Sequence, residues 1–397
     1  MRLQICRKLT LSMTIAMAAA PCLGQALAVK PDPQRTTALS LEQQGKNAEA
    51  EVAWHLYMKA HPSNPEPYAH LGLLEARQEH YKEAVPLYRK ALALGPKLPG
   101  LQLNLGLALF KGGELKQSVE VFAPLLKSAK PASPEAQQLT VLLGMARYGL
   151  GEYAEAVPYL KTAAANDPTN LQLRLTLAHS CLWSKQYQCV LDTYHEILLL
   201  NAESAEADML AGEVLDEQKD TPGAIQQFRA AAKADPKEPE VHFGLGYLLW
   251  TQRQYAEAAS EFQAELANNP NHVQAMIYLA DAQIQLSHPE AAEPLLEKAL
   301  RLDASRELAH LDLGILYNEA DRRDDALLEL KIAEKLSPND ENVHWRLGRI
   351  YQAAGKKNEA KAEFDKTRNL QKASDDSLVK KLHDAQLKGK PGEPASK

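Results

Sequence analysis

Between Pro65 and Leu98 the apolar and small residues fall on two helical faces. Tyr68, Leu71, Gly72 and Glu75 stand at i, i+3, i+4 and i+7, one face of a first helix. Tyr81, Ala84, Tyr88 and Ala91 mark the face of a second helix. Pro96 closes the stretch, because proline cannot continue a helix interior. The pattern predicts a helical hairpin of 34 residues. A hairpin that short cannot bury its own apolar stripe, so it needs similar neighbours on both sides.

The chain supplies them. Units start at Pro31, Pro65, Pro99, Gln137, Leu171, Ala205, Pro239, Val273, Glu307 and Glu341. Every interval is 34 residues except the third, which is 38. The units are 31–64, 65–98, 99–136, 137–170, 171–204, 205–238, 239–272, 273–306, 307–340 and 341–371. A Leu-Gly pair recurs as Leu71-Gly72, Leu105-Gly106, Leu143-Gly144, Leu245-Gly246, Leu313-Gly314 and Leu347-Gly348. It weakens to Leu177-Ala178, Ala211-Gly212 and Leu279-Ala280. A second-helix alanine recurs as Ala50, Ala84, Ala156, Ala224, Ala258, Ala292, Ala326 and Ala360, and departs to Ser118 and Val190. A closing proline recurs at Pro62, Pro96, Pro168, Pro236, Pro270 and Pro338.

This pattern resembles the tetratricopeptide repeat, in which Leu-Gly, alanine and proline hold fixed places in each unit. The resemblance covers residues 31–371 and implies an all-α fold, a right-handed α-solenoid superhelix of about ten hairpins. Small residues on the first helix are expected to face the second-helix alanine, so that the two backbones approach closely. Unit one has a poor first helix, with Gln34, Thr36 and Thr37 off pattern, as an end repeat facing water often does. Trp54 fills its second-helix aromatic position.

The ends differ from the array. Arg2, Arg7 and Lys8 precede a short apolar run from Leu9 to Ala20, and Ala26-Leu27-Ala28 is a small-x-small site. Residues 1–28 read as a secretory signal peptide. Localisation is expected to be secreted, in a bacterial periplasm if the signal is of bacterial kind. No other stretch is long and apolar enough to span a membrane. Removing that segment takes three positive charges from a chain of net charge −6 and leaves −9. An acidic chain of this kind argues against nucleic acid as a partner. At the other end, Ser374 is placed to cap a solvating helix over 372–388, carrying Leu378, Val379, Leu382 and Ala385. Residues 389–397 are expected to be a disordered tail. The stretch after residue 371 is too short for a catalytic domain.

Details inside the array carry further expectations. The long interval puts its extra residues in Lys127 to Glu135, read as a loop. Pro86, Pro158 and Pro294 recur at one second-helix position and are expected to face solvent. Ser287-x-x-Glu290 has the form of a capping box. Cys181 and Cys189 lie on the two helices of unit five; they are either a disulfide or two small buried thiols.

Chemistry is hard to find. There is no phosphate loop, dinucleotide loop, zinc-binding H-E-x-x-H, nucleophile elbow or calcium loop. No catalytic residue, cofactor or metal site is expected. His242, His310 and His344 share one repeat position, so they spread along the array rather than converge, and read as structural.

Binding is the remaining class. By the resemblance, the second, fifth, ninth and twelfth positions of each first helix face an inner wall. There stand Leu103, Leu107 and Phe110; Val141, Met145 and Tyr148; Leu175, His179 and Leu182, with Trp183 beside them; and Phe243, Tyr247 and Trp250. Glu206, Met209, Glu213 and Asp216, followed by Glu217, and then Asp281, add an acidic step. One reading has neighbouring first helices burying these side chains among themselves. The other has a groove for an apolar and basic segment of another protein, with Lys or Arg meeting Glu213 and Asp216. Relatives that hold chaperone C-termini use basic and Asn residues on this wall, whereas apolar residues stand at the corresponding places here. The expected function is a non-catalytic protein-interaction scaffold. The alternative is envelope polysaccharide binding or export, with Tyr148, Trp183, Tyr247 and Trp250 stacking on sugar rings.

Overall fold

The computed structural model describes residues 32–95, 98 and 100–388, with side chains described as far as residue 376. The expected signal segment, Pro96 and the expected tail lie outside the described residues. Twenty helices follow in order, and no strand is present among the described residues. They are α1 Pro33–Gln43, α2 Asn47–Ala60, α3 Pro65–Arg77, α4 Tyr81–Leu94, α5 Leu101–Lys111, α6 Leu115–Ser128, α7 Pro134–Gly149, α8 Tyr153–Asn166, α9 Leu171–Trp183 and α10 Tyr187–Leu200. Then come α11 Ala205–Glu217, α12 Thr221–Ala234, α13 Val241–Thr251, α14 Tyr255–Asn268, α15 Val273–Gln285, α16 Pro289–Leu302, α17 Glu307–Glu319, α18 Arg323–Leu336, α19 Glu341–Ala353 and α20 Lys357–Lys388. The chain is an α-solenoid of helical hairpins. It divides into two compact units, one ending at Gln218 and one beginning at Lys219, between the two helices of the sixth repeat.

In the first unit α3 lies beside α5, α7 beside α9, and α9 beside α11. In the second, α13 lies beside α15, α15 beside α17, and α17 beside α19. Second helices do not approach one another as closely, so within each unit the first helices line the inner side.

Local sequence sets each hairpin. Asp32, Asn64, Ser133, Asn170, Ser204 and Asp340 cap first helices with a side-chain oxygen on a backbone N–H. Between the helices of every repeat one residue turns left-handed: Gly45, Glu79, Gly113, Gly151, Lys185, Lys219, Arg253, Ser287, Asp321 and Gly355, with φ between 59° and 83°. This corrects the capping box expected at Ser287. Ser287 closes α15 instead, its N–H donating to Ile284 O at 2.9 Å, and His288 is the residue that precedes α16.

The glycines pack differently from expectation. A Cβ on Gly72 would lie 2.9 Å from the Tyr88 ring, on Gly246 2.8 Å from Phe262, and on Gly348 2.7 Å from Phe364. The small residue of the first helix thus makes room chiefly for the large residue one turn beyond the second-helix alanine; at Gly314 the backbone of that alanine, Ala326, is close as well, its carbonyl oxygen 3.4 Å from a Cβ built there. Phe262 is wholly buried in this way, Phe228 is wholly buried against Gly244 of the next repeat, and Trp54 is buried at the first repeat.

Two further expectations change. Pro134, Glu135 and Ala136 belong to α7, so most of the inserted residues lengthen a helix rather than a loop. Ser374 lies inside α20, which runs unbroken to Lys388, so the expected separate end helix is a continuation of the last repeat. No glycine, proline or left-handed residue interrupts the chain there, and every other hairpin needs such a turn. Pro86, Pro158 and Pro294 all stand exposed inside their helices.

The recurrent histidines tie three hairpins together, the seventh, ninth and tenth. His242, His310 and His344 bring Nδ1 within 2.6 Å of Glu261, Glu329 and Glu363 on the following helix. Their Nε2 atoms face the carbonyls of Pro236, Ala304 and Pro338 at 3.0, 3.1 and 2.9 Å.

Candidate functional site

Much of the expected inner wall is core. Leu107, Phe110, Met145, Tyr148, Leu175, His179, Leu182 and Phe243 are buried. Leu103, Val141, Trp183, Glu213, Asp216, Tyr247 and Trp250 stay half-buried. Depth does not follow position: fifth-position Leu103 and Val141 and ninth-position Tyr247 stay half-buried, while twelfth-position Phe110, Tyr148 and Leu182 are buried. What stays accessible is a set of aromatic edges and carboxylates rather than a continuous apolar groove.

Two aromatic clusters hold those edges. In the first unit Trp183 lies 5.8 Å from Tyr148 and 4.6 Å from Tyr153, ring to ring. His179 adds a tilted contact with Trp183 at 5.2 Å, and its Nε2 pairs with Glu206 at 2.8 Å. Tyr153 comes from a second helix, α8, which sequence reasoning about first helices did not reach. In the second unit Tyr278 packs edge-on against Tyr247 at 5.4 Å and Trp250 at 5.1 Å. The Trp250 indole N–H donates to Asp281. Tyr278 was missed because it stands one place past the fifth position of its repeat.

The acidic step has a distinct electrostatic character. Burial pushes the Glu213 carboxyl up to about 8, helped by Asp216 and Glu217 on the same helix. In the second unit, burial also raises Asp281, while its bond from Trp250 pulls the other way. Asp312 is raised well above the usual carboxylate range, by burial first and then by Asp281 and Glu307. It is 3% exposed, and its Oδ2 has no hydrogen-bond partner among the described residues.

The end of the second unit carries the opposite charge. Trp345, Arg346 and Arg349 project from α19, next to Ile315 and Asn318 of α17. Trp345 and Arg349 are the fifth and ninth positions of the last repeat. Applying the inward-position rule to that repeat would have found them, so the absence of basic residues at these positions does not hold at this end of the array.

Cys181 and Cys189 are joined by a disulfide, with Cα atoms 5.8 Å apart, linking α9 to α10. Two groups of three side chains come within metal-ligand reach of each other: Glu240, Glu265 and His272, and Glu334, His344 and Glu363. In the first, His272 Nδ1 accepts from Ala275 N–H as the cap of α15, so Nε2 carries the proton and donates to Glu240 at 2.9 Å. A metal on Nε2 would need that cap broken. In the second, Lys366 Nζ already bridges Glu334 and Glu363 at 2.8 and 3.0 Å.

Stacked helical hairpins with half-exposed aromatic and charged side chains on their first helices define a helical-repeat protein. Tetratricopeptide repeat profiles match residues 35–99, 103–170, 191–239, 243–307 and 279–341, and others of the same description match 148–214 and 342–366. The chain belongs to the tetratricopeptide repeat family, whose members bind other proteins. It is 26% identical over 269 residues to the BBSome complex member BBS4 of Bos taurus, covering 68% of this chain and 49% of that protein. It is 25% identical over 233 residues to the protein O-mannosyl-transferase TMTC1 of Homo sapiens, covering 58% of this chain and 25% of that one. The chain therefore spans half or less of these two relatives. Among solved structures, a tetratricopeptide repeat protein from Parabacteroides merdae superposes with a TM-score of 0.45 at 19% identity, covering 63% of this chain and 97% of that one. No helix among the described residues is long and apolar enough to cross a membrane.

Proposed function

We propose that this chain is a secreted, non-catalytic scaffold whose first helices receive segments of partner proteins. The observation that carries the reading is the placement of Trp183, Tyr247 and Trp250. Each is an aromatic ring on a first helix that neighbouring repeats leave half-buried. Large aromatic side chains with one accessible edge are the usual anchors of protein interfaces. Asp216 gives a basic partner residue somewhere to end, and a cation arriving there would favour the ionised form of Glu213, which burial and its acidic neighbours disfavour in the free chain. The likeness to a BBSome complex member supports an assembly role, while the likeness to a mannosyl-transferase covers only a quarter of that protein. The segment 1–28 directs the chain out of the cytoplasm, into a periplasm in a bacterial cell.

The rival reading is a polysaccharide contact, since the same rings would stack on sugars. Affinity capture from the native envelope separates the two, comparing the wild type with Tyr247→Ala plus Trp250→Ala. Loss of captured proteins with unchanged polysaccharide retention is expected. Protein partners that persist while polysaccharide retention falls would reverse the order.

A further inference from the structure

We infer that α17 and α19 form a docking site for an acidic polypeptide segment, held by Arg346 and Arg349 with an apolar side chain laid on Trp345. The inference rests on the scaffold reading and names a partner chemistry opposite to the basic one expected at Glu213. Trp345 is 40% exposed, and no other Phe, Tyr or Trp among the described residues is as open. It borders a pocket lined by Ile315, Ile350 and the Asn318 amide. The Arg346 and Arg349 guanidiniums lie 5.3 and 5.2 Å from its ring centroid. That stacking fixes the two cations in place without neutralising them.

Their lack of a carboxylate is unusual in this molecule. Ten of the fourteen described arginines reach an Asp or Glu within ion-pair distance. Arg89 instead bonds Gln117. Arg253, Arg346 and Arg349 reach no acid among the described residues, and of these Arg346 and Arg349 stand side by side. Buried Asp312 feels Arg346 but lies beyond ion-pair distance from it. In a chain of net charge −6, two uncompensated guanidiniums flanking an open indole are complementary to carboxylates arriving from outside. Tryptophan and arginine are also the residues that most often dominate interface energies. A nucleic acid fits less well, because phosphate-backbone binding needs a run of cations and this patch has two.

The test selects displayed random peptides on the full chain and counter-selects them on the Arg349→Glu variant. Arg349 is exposed, so the reversal leaves packing intact, and circular dichroism melting of the variant checks this. Peptides that depend on Arg349 are expected to carry Asp or Glu beside Phe, Trp or Leu. Their affinity, read by fluorescence anisotropy, should fall about tenfold in Arg349→Glu and should fall with added salt. Trp345→Ala should remove the preference for the apolar residue while keeping the salt dependence. Arg349-dependent peptides without acidic enrichment, or none at all, would overturn the inference. So would displacement of the peptides by a single-stranded oligonucleotide that binds the wild type more tightly. If polypeptide contacts are found at Tyr247 while no acidic peptide depends on Arg349, the scaffold reading stands and this inference falls.

Discussion

Replacing Gly246 with alanine tests the packing rule of the array. A Cβ there would lie 2.8, 2.9 and 3.2 Å from Cε1, Cδ1 and Cζ of Phe262, whose side chain is wholly buried. Carbon contacts are comfortable at about 3.5–4.0 Å, so the ring must move or the helices must part. Overpacking of this kind costs about 1–3 kcal/mol. Alanine in place of glycine inside a helix returns up to about 1 kcal/mol. Three ring carbons within 3.2 Å of the new Cβ put the overpacking in the upper part of that range, about 2–3 kcal/mol, so the net loss should be about 1–2 kcal/mol. The chain itself suggests the remedy. The eighth repeat carries Ala280 at this position with Leu296 sixteen residues on, where the seventh has Gly246 and Phe262, and both Ala280 and Leu296 are buried in one cluster. Phe262→Leu alone should cost about 1 kcal/mol. The double variant should then be more stable than the sum of the singles by about 1 kcal/mol or more. Equilibrium urea unfolding of the four proteins measures this, followed by circular dichroism and by tryptophan fluorescence, since repeat arrays need not unfold in one step. An additive double variant, or a neutral Gly246→Ala, would refute the argument from close approach.

Two other outcomes follow from the structure. The Cys181–Cys189 bridge closes a short loop, with a sequence separation of 8, so reducing it or replacing both cysteines with alanine should cost roughly 2–3 kcal/mol. Titration of the unreduced, unfolded mature chain should find no free thiol. The Glu213 carboxyl titrates near 8 in the fold and near 4.5 when unfolded, so its proton favours the folded state. That contribution is complete below about pH 4.5 and is lost as the pH rises through 8. Glu213→Gln should therefore gain stability relative to the wild type across that window, as read by thermal melts in matched buffers; a constant difference at all pH values would contradict the assigned burial.

The hairpin count and register were legible because they depend on spacing alone. A period of 34 survives even where Ala202 and Ala304 replace the closing proline or Val190 replaces the alanine. What spacing cannot show is which side chain fills the space beside a glycine. That depends on how two helices cross, and the crossing put Tyr88, Phe262 and Phe364 there instead of alanine. The turn residues were hidden for a related reason. Six of the ten left-handed positions hold residues other than glycine, and those such as Lys185 and Arg253 carry no sequence signal for that conformation. Ser287 looked like a cap because its neighbours fit a capping box, yet its backbone was needed to end the helix before. The inner wall was read from position, and position fixes direction, not depth. Phe110 and Met145 point inward and are covered by the next repeat, whereas Trp345 at the same kind of position is left open.

A scaffold of this kind must meet other chains with its first helices. A photo-crosslinking residue placed at Tyr247, on α13, should form adducts with polypeptide in the native envelope. The same residue at Leu199 on α10 or Leu328 on α18, second-helix positions that are 87% and 61% exposed, should form few. Adducts confined to the second-helix positions, or made only with polysaccharide, would contradict it.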